Sequence, residues 1–571
     1  MTDILLPTPR RQSLASQTTA WVEPTTRHDP SLPTEGYRLR VTEGGVEVDS
    51  GSEAATFYAN KTLAQLRRLH QGRLPLGTIE DWPDVACRGV MLDISRDKVP
   101  TMETLLALVD RLASWKINQL QLYTEHTYAY LDHEEVWRSA SPLDANEIRQ
   151  LDEYCRARFI ELVPNQNCLG HWERWLRHDR YRTLAVAPDG WDQGGRHREP
   201  TTLDPTNPEA RQLVRSLLSE LLPNFSSRRL HVGLDEPWEL PKERMADYLD
   251  WVHALRALPE LDGLDMLMWG DILEARPDLL AKLPGGTTIC EWWYDAGWPW
   301  AARGEAYATS GHPWWACPGT SSWQTILGRW DNAVADIAEA VDGALEHGGS
   351  GVLVTDWGDR GHLQFLPISE PGFAWTAAQS WCRSSNRDLD LAAALDAHCY
   401  YDEGAVMGGV LRDLGNAYLK IGPQFPNMST LILHVYFPQM QVGAVFTEGM
   451  TIDQVTDAEG VLVDCNARLE RAKSTRDDAS LVLDELRSSI AFVELLCRDL
   501  RARLAVDGFL TSVPEPARLA LAADLEPMRA HYRELWLARN RPGGLDDSAA
   551  WLDHLDRCYR TGTVEEFWGG W

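Results

Sequence analysis

The sequence lacks several features that would place it in a membrane or outside the cell. No hydrophobic run approaches the roughly 20 apolar residues that span a bilayer. The segment Met1 to Pro7 lacks the basic start and the long apolar stretch of a secretory signal peptide. The ten cysteines are scattered singly from Cys87 to Cys558, as is typical of reduced thiols. These absences predict a cytoplasmic location.

Positive charge is scarce relative to negative charge. The 571 residues include 55 Lys and Arg against 84 Asp and Glu, which gives a formal net charge of −29. Such a surface repels the phosphates of nucleic acids and of anionic membranes. We therefore expect neither a nucleic acid nor a membrane as a partner.

Motifs for metal, phosphate and serine-hydrolase chemistry are also missing. The sequence has no His-Glu-x-x-His, no Cys/His cluster and no EF-hand loop, and Glu125-His126 alone is too little for a metal site. The glycine pairs at Gly285 and Gly543 indicate turns, and no Gly-x-Ser-x-Gly elbow precedes a helix. We therefore expect neither a metal nor another cofactor.

Apolar segments alternate with amphipathic helical patterns over residues 81–385. Eight of these segments fit buried parallel strands, and they begin at Val90, Gln119, Glu161, Arg229, Met266, Thr288, Trp314 and Gly351. Eight such units over about 300 residues are what a (β/α)8 barrel requires. The predicted fold class is therefore α/β, with a TIM barrel as the central domain.

Other patterns flank the barrel and predict two further domains. Residues 1–80 contain an alternating apolar pattern around Gly44-Gly45 and then a helical pattern, which predict a small α/β domain. About the first 35 of these residues, rich in Pro, Thr and Arg, are expected to be poorly ordered. Residues 386–571 show helical spacing of apolar residues and predict an all-helical domain. We expect this domain to pack on the barrel or to form a homodimer.

Polar and aromatic side chains follow nearly every predicted barrel strand, where barrel active sites lie. Among them, Asp235 and Glu236 are adjacent. Two adjacent carboxylates repel when both are ionised, so one of them keeps its proton to higher pH. A protonated acid beside an ionised neighbour is what glycosidic bond cleavage needs. An isolated Asp-Glu pair, however, is more often a solvated acidic turn.

Two motifs in the right order resemble one enzyme family. The run Ile-Glu-Asp-Trp-Pro at 79–83, followed by Arg88 to Arg96, resembles the entry into the catalytic barrel of glycoside hydrolase family 20, the β-N-acetylhexosaminidases. His231-x-Gly-x-Asp235-Glu236 resembles the acid/base motif at the fourth strand of that family. With its helical tail, the chain is similar to a cytosolic bacterial branch of the family over roughly residues 40–550.

The resemblance implies an exo-acting retaining enzyme that removes terminal GlcNAc or GalNAc from a small oligosaccharide or glycoconjugate. In this family the 2-acetamido oxygen of the substrate acts as the nucleophile. Glu236 would protonate the glycosidic oxygen, and Asp235 would stay ionised, orient the acetamide N–H and stabilise the oxazolinium ion. Tyr294 is the candidate to hydrogen-bond the acetamide oxygen, although the family usually supplies that tyrosine one strand later.

The resemblance also implies a set of sugar-binding residues. Arg96 would clamp the 3- and 4-hydroxyls with its forked donors, and Asp359 would grip the 4- and 6-hydroxyls where the family has a glutamate. The shorter aspartate leaves the preference between the gluco and galacto configurations open. The implied substrate-binding residues are Arg96, His171, Trp269, Asp271, Trp292, Trp293, Trp323, Trp357 and Asp359.

One departure from the family pattern and two alternative functions stay open. Asn165 and Asn167 replace the Glu and Asp that commonly follow the third strand, which leaves any charge relay through that aspartate open. One alternative is a conventional retaining glycosidase with its own carboxylate nucleophile, for which Glu125, Asp271 or Glu291 is available. The other is a non-catalytic sugar-binding barrel, which would not need both Asp235 and Glu236.

Overall fold

The computed structural model describes residues 4–565 and 567. They form a small N-terminal sheet domain, a closed barrel of eight parallel strands and a group of C-terminal helices. This architecture confirms the predicted fold class. The predicted domain limits fall at the end of the strand Arg73–Asp81 and within the short helix Arg383–Asn386.

The N-terminal domain is a five-stranded sheet covered by one helix. Its strands are β1 (Arg11–Ala20), β2 (Thr25–His28), β3 (Tyr37–Thr42), β4 (Gly45–Ser50) and β5 (Arg73–Asp81), in the order β1-β5-β3-β4-β2. The hairpin predicted around Gly44-Gly45 is β3–β4. The helix spans Glu53–Leu69 and begins at Ser52, whose side chain accepts the N–H of Ala55.

The prediction that about the first 35 residues are poorly ordered is wrong for the described part of that segment. β1 pairs with β5 and β2 pairs with β4, while Leu5 and Leu6 are fully buried. Both strands lie at edges of the sheet and keep many side chains exposed, so they need few apolar residues. The amino-acid composition of this segment therefore does not indicate the strands β1 and β2. Met1 to Asp3, the start of the segment that lacks signal-peptide features, lie outside the described residues.

Eight parallel strands close the barrel, and each of the predicted strand segments is present. Barrel strands 1 to 8 span Cys87–Asp93, Gln119–Thr124, Glu161–Gln166, Arg229–His231, Asp265–Trp269, Thr287–Trp292, Trp314–Cys317 and Gly351–Asp356. Longer helices follow most strands and span Met102–Ser114, Ala145–Arg156, Pro208–Leu221, Met245–Arg256, Trp300–Ser310, Trp330–Glu346 and Leu366–Trp381. Strand 8 pairs with strand 1 and completes the barrel.

The C-terminal region is helical and packs on the barrel. Its longer helices span Met407–Gly415, Ile452–Leu469, Ala479–Leu504, Glu515–Arg539 and Leu545–Thr561. Their apolar side chains share one continuous core with the outer face of the barrel. Ion pairs also cross the boundary, such as Arg476 with Glu370 at 2.9 Å. Packing on the barrel is thus confirmed, and a homodimer stays a prediction.

None of the helices within residues 4–565 combines the length and the apolar character needed to cross a membrane.

Candidate active site

The carboxyl ends of the barrel strands bring most of the predicted site residues together. Parallel strands in a barrel all point the same way, so the residues that follow them meet on one face. Arg96 follows strand 1, His171 follows strand 3, and Asp235 and Glu236 follow strand 4. The remaining predicted residues on this face are Trp269, Asp271, Trp292, Tyr294, Trp323, Trp357 and Asp359.

Asp235 is almost completely buried and is held by two side chains. Asn167 Nδ2 donates to Oδ1 of Asp235 at 2.7 Å, and His171 Nε2 lies 3.2 Å from Oδ2. Burial acts to raise the pKa of Asp235, but the charge and hydrogen bond of His171 outweigh it and hold this pKa below its ordinary value. Asp235 therefore stays ionised at neutral pH. Burial opposes the charge of His171, yet Asp235 raises the pKa of His171 to about 10.

Glu236 is next in the chain, and its pKa is shifted in the opposite direction to that of Asp235. Burial raises the pKa of Glu236 to about 7, with the charge of Asp235 adding to the effect and that of His171 opposing it. Its side chain keeps 30 % of its surface exposed, and its Oε2 lies 3.5 Å from His171 Nε2. A carboxyl group with a pKa near 7 can both give and take a proton at neutral pH. Asp235, with a lowered pKa, thus stands beside Glu236, whose pKa is raised towards neutral pH.

The turn that carries the pair has an unusual backbone. Leu234 and Glu236 have φ values of +75° and +47°, which residues with side chains rarely adopt. Gly233 has φ +68°, and a Cβ atom there would lie 2.6 Å from Cγ of Asn167. Asp271 Oδ2 accepts the N–H of Glu236 at 3.1 Å. The turn therefore depends on glycine at position 233 and on an acceptor at position 271.

Arg96 is buried beside the acidic pair and the aromatic residues. Its guanidinium lies 3.5 Å from Glu125 Oε1 and 3.3 Å from His171 Nδ1, and its Cζ lies 4.9 Å from the centre of the Trp357 ring. Burial raises the pKa of Asp359, and the positive charge of Arg96 opposes this rise. Arg96 and Asp359 thus lie on one side of the site, and the charge of each favours the ionised form of the other.

Aromatic side chains line another side of the site. Tyr294 stacks on Trp292 at a centroid distance of 5.1 Å and meets Trp323 edge-on at 4.9 Å. Trp357 Nε1 donates to the Tyr294 hydroxyl at 2.8 Å, and the Trp357 ring lies 6.0 Å from that of Trp269. Flat apolar faces with polar edges suit a sugar ring and its acetamide group. Because the Tyr294 oxygen accepts this bond, its own hydrogen can be donated elsewhere.

Trp293 is the predicted pocket residue that the structure places elsewhere. It stacks on Trp298 at a centroid distance of 3.9 Å and packs against the outer core. Trp292, by contrast, packs with Trp269 and Trp323 inside the barrel. Successive side chains along a strand point to opposite faces, and strand 6 ends at Trp292. Both tryptophans therefore could not wall the same pocket.

Asn167, Tyr123 and Asp93 join the site without having been predicted in it. Asn167 holds Asp235, although the sequence pattern marked it only as a departure from the family. Tyr123 donates to Glu125 Oε1 at 3.0 Å, and Asp93 Oδ1 accepts the Arg96 N–H at 3.0 Å. All three lie in or just after the last residues of a strand. The end of a strand is visible in the sequence, but Tyr123 and Asp93 belong to the apolar strand segments themselves, so the pattern does not mark them as site residues.

The carboxylates considered as an enzyme nucleophile are poorly placed for that role. Glu291 pairs with Arg303 at 2.8 Å, so it faces the helix after strand 6. Burial raises the pKa of Asp271 well above its ordinary value, and burial raises the pKa of Glu125 to about 7. A carboxylate must be ionised to attack a sugar. The raised pKa values of Asp271 and Glu125 therefore disfavour the ionised form that could attack a sugar.

No group of three or more His, Cys, Asp or Glu side chains within the described part of the chain could hold a metal ion.

Two family models match this chain. The catalytic-domain model of glycosyl hydrolase family 20 matches residues 86–323, and the model of domain 2 of that family matches residues 6–82. A beta-hexosaminidase of Akkermansia muciniphila is 29% identical over 263 residues, which are 41% of this chain and 52% of the relative. A beta-N-acetylhexosaminidase of Cellulomonas fimi is 35% identical over 237 residues, 37% of this chain and 46% of the relative. The chain thus spans about half the length of these curated relatives.

A solved structure shows the same fold. The family 20 beta-N-acetylhexosaminidase from Streptomyces coelicolor A3(2) superposes with a TM-score of 0.56 at 18% identity, over 69% of this chain and 95% of that chain. The two family models together cover the N-terminal sheet, barrel strands 1 to 7 and the Asp235–Glu236 turn. The chain belongs to glycosyl hydrolase family 20.

Proposed function

We propose that this protein is an exo-acting retaining β-N-acetylhexosaminidase that removes terminal GlcNAc or GalNAc by substrate-assisted catalysis. The observation that carries the proposal is the Asp235–Glu236 pair, whose adjacent carboxyl groups have pKa values shifted in opposite directions. Membership of family 20 and the activities named for the relatives support it.

In the first step the acetamide oxygen of the substrate attacks the anomeric carbon while the bond to the leaving group breaks. Glu236 gives its proton to the leaving oxygen. Asp235, kept ionised by His171, accepts the acetamide N–H and stabilises the positive charge of the oxazolinium ring. In the second step Glu236 takes a proton from the water that attacks the same carbon, so the product keeps its configuration.

The other residues of the site bind the terminal sugar. Arg96 and Asp359 hold its ring hydroxyls, and the faces of Trp292 and Trp357 contact its apolar surface. Tyr294 donates its hydroxyl hydrogen to the acetamide oxygen. This bond fixes the direction from which that oxygen approaches the anomeric carbon. It thereby lowers the entropic cost of reaching the reactive geometry.

The proposal also covers the substrate and the cellular location of the protein. We propose a small oligosaccharide or glycoconjugate as the substrate, and a cytoplasmic location, which the ten unpaired cysteines support.

The test is hydrolysis of aryl β-GlcNAc, β-GalNAc and β-glucoside substrates by the full chain and by the Asp235→Asn and Glu236→Gln variants. We expect cleavage of the 2-acetamido sugars alone and a large loss of turnover in both variants. Equal cleavage of the glucoside would instead favour a carboxylate nucleophile supplied by the enzyme. No cleavage of any substrate would contradict the proposal.

A further inference from the structure

The C-terminal helix Leu545–Thr561 touches the two loops that carry Arg96 and Asp359. Gly544, just before this helix, has φ +74°, and a Cβ atom there would lie 2.1 Å from the carbonyl oxygen of Asp97. A Cβ atom on Gly361 would lie 2.5 Å from Cδ1 of Trp551. The backbones of the loops after strands 1 and 8 are therefore in direct contact with the helical region.

Ser548 connects these two loops through one hydroxyl group. Its side chain is fully buried, donates to Asp97 Oδ2 at 2.9 Å and accepts the N–H of His362 at 3.1 Å. Asp97 directly follows Arg96 and has φ +73°. Its other carboxyl oxygen accepts Arg174 Nη2 at 3.0 Å, from the segment that follows His171. A single residue outside the barrel thus ties together the loops after strands 1 and 8.

Asp93 makes the matching connection inside the barrel. Its Oδ1 accepts the N–H of Arg96 at 3.0 Å, and its Oδ2 accepts the N–H of Gly358 at 3.1 Å. A Cβ atom on Gly358 would lie 3.0 Å from Cβ of Arg96 and 2.5 Å from Nδ1 of His362. Arg96 and Asp359 therefore have little freedom relative to each other, provided that both connections hold.

We propose that Ser548 is a positioning residue of the active site. Through Asp97 and the backbone of His362, it sets the relative placement of Arg96 and Asp359. This inference rests on the proposed function for the assignment of those two side chains to the hydroxyls of the terminal sugar. The C-terminal helical region is then part of the apparatus that recognises the sugar, although it supplies no group that touches it.

Kinetics of Ser548→Ala in the full chain test the proposal, with Ser489→Ala as the matched control. Ser489 is also buried in the helical region, but its hydroxyl donates to the carbonyl of Glu485 in its own helix. The substrates are aryl β-GlcNAc and its 4-deoxy analogue. We expect Ser548→Ala to lower kcat/KM on the parent substrate about tenfold or more, since small misplacements of binding groups are costly.

The 4-deoxy analogue separates positioning from general destabilisation. It lacks the 4-hydroxyl, the one hydroxyl that Arg96 and Asp359 both hold in the proposed function, so Ser548→Ala should lower its kcat/KM less than that of the parent substrate. Ser489→Ala should leave the ratio between the two substrates unchanged. An equal loss on both substrates in Ser548→Ala, or no loss on either, would overturn the proposal.

Amide hydrogen exchange tests the same connection without using activity. Removal of the Ser548 hydroxyl leaves the His362 N–H without its acceptor, so peptides covering 93–98 and 357–363 should exchange faster than in Ser489→Ala. Unchanged exchange in both peptides would overturn the inference even if the enzyme is active. If the full chain cleaves no 2-acetamido sugar, the proposed function fails while this measurement still decides the positioning role. Ser548→Cys, whose thiol is a weaker donor and acceptor than the hydroxyl, replaces Ser548→Ala if the latter does not fold.

Discussion

At the scale of single residues, Asp235 and Glu236 carry the same acidic group and differ in what surrounds it. Asp235 accepts hydrogen bonds from Asn167 and His171, whereas Glu236 is desolvated next to the Asp235 charge. Hydrogen bonds and positive charge favour the ionised form, while burial and like charge favour the protonated form. The environment of each carboxyl group thus sets the direction in which its pKa shifts.

The pH dependence of activity should report the pKa of Glu236. Since the acid must be protonated and its pKa is about 7, kcat/KM should fall as the pH rises above about 7. A pH–rate profile of the full chain measures this, and a flat profile up to pH 9 would contradict the assignment.

The same shift predicts an effect on stability. Because the pKa is raised on folding from 4.5, the stability from protonated Glu236 is present at low pH and is lost as the pH rises through about 7. Glu236→Gln, which cannot ionise, should therefore melt at a higher temperature than the unmodified chain at pH 8 but not at pH 4. Thermal unfolding at both pH values checks the sign.

We expect the site to tolerate Asp271→Asn but not Asp271→Ala. Burial raises the pKa of its carboxyl group well above its ordinary value, which favours the neutral form, and Oδ2 accepts the Glu236 N–H. Asp271→Asn keeps an acceptor of the same size and should retain most of the turnover, whereas Asp271→Ala should lose about tenfold or more. If both variants lose activity equally, an ionised Asp271 is required and the alternative of an enzyme nucleophile regains support.

Tyr294→Phe should slow turnover more than it weakens binding. The variant keeps the ring that stacks on Trp292 but removes the hydroxyl that would hold the acetamide oxygen. A fall in kcat with little change in KM on aryl β-GlcNAc is the expected result. A rise in KM alone would count against a role in placing the nucleophile.

At the scale of elements, the backbone conformation of the turn after strand 4 places Asp235 and Glu236 in the site. Gly233→Ala would place a methyl group against Asn167, the residue that holds Asp235. We expect a loss of activity of about tenfold or more, together with a loss of stability of about 1–3 kcal/mol.

Gly348→Ala is the matched control for that substitution. Gly348 has a nearly identical φ of +67°, but no atom lies within 4 Å of the position of its Cβ. This variant should carry a similar backbone strain, about 1–2 kcal/mol, with full activity. Chemical denaturation and initial rates of both variants separate strain from the contact with Asn167, and equal activity losses would contradict the explanation.

At the scale of the whole molecule, the C-terminal helices complete the barrel. They bury the outer faces of barrel helices in a shared core, and Arg541 Nη1 donates to the carbonyl of Pro142 at 2.7 Å. Removal of these helices exposes a large apolar surface, which is costly in water. We therefore expect the helices to fold as one unit with the barrel.

Truncation at about residue 385 should abolish activity and cooperative folding. The shortened chain would lose both the shared core and the contacts of Ser548 with the active-site loops. Size-exclusion chromatography, thermal unfolding and an activity assay measure the outcome. A stable, fully active monomer would contradict this prediction.

Local patterns in the sequence determined the barrel, while the motifs that resemble family 20 implied most of the expected site residues. Apolar strand segments and the residues that follow them are local patterns, because strand period and strand direction restrict where side chains can lie. The Asp235–Glu236 pair stands out as two adjacent carboxylates, and the roles expected for them are those that the family resemblance implies. The edge strands β1 and β2 were missed because exposed strands carry little apolar signal.

Only the tertiary structure decided how these residues act on one another. The hydrogen bond from Asn167 to Asp235 and the contacts of Ser548 with Asp97 and His362 join residues that are far apart in the sequence. The pKa values of Asp235 and Glu236 depend on burial and on neighbouring charges, which exist only once the chain has folded. The sequence therefore determined which groups are present, and the tertiary structure decided their protonation and their partners.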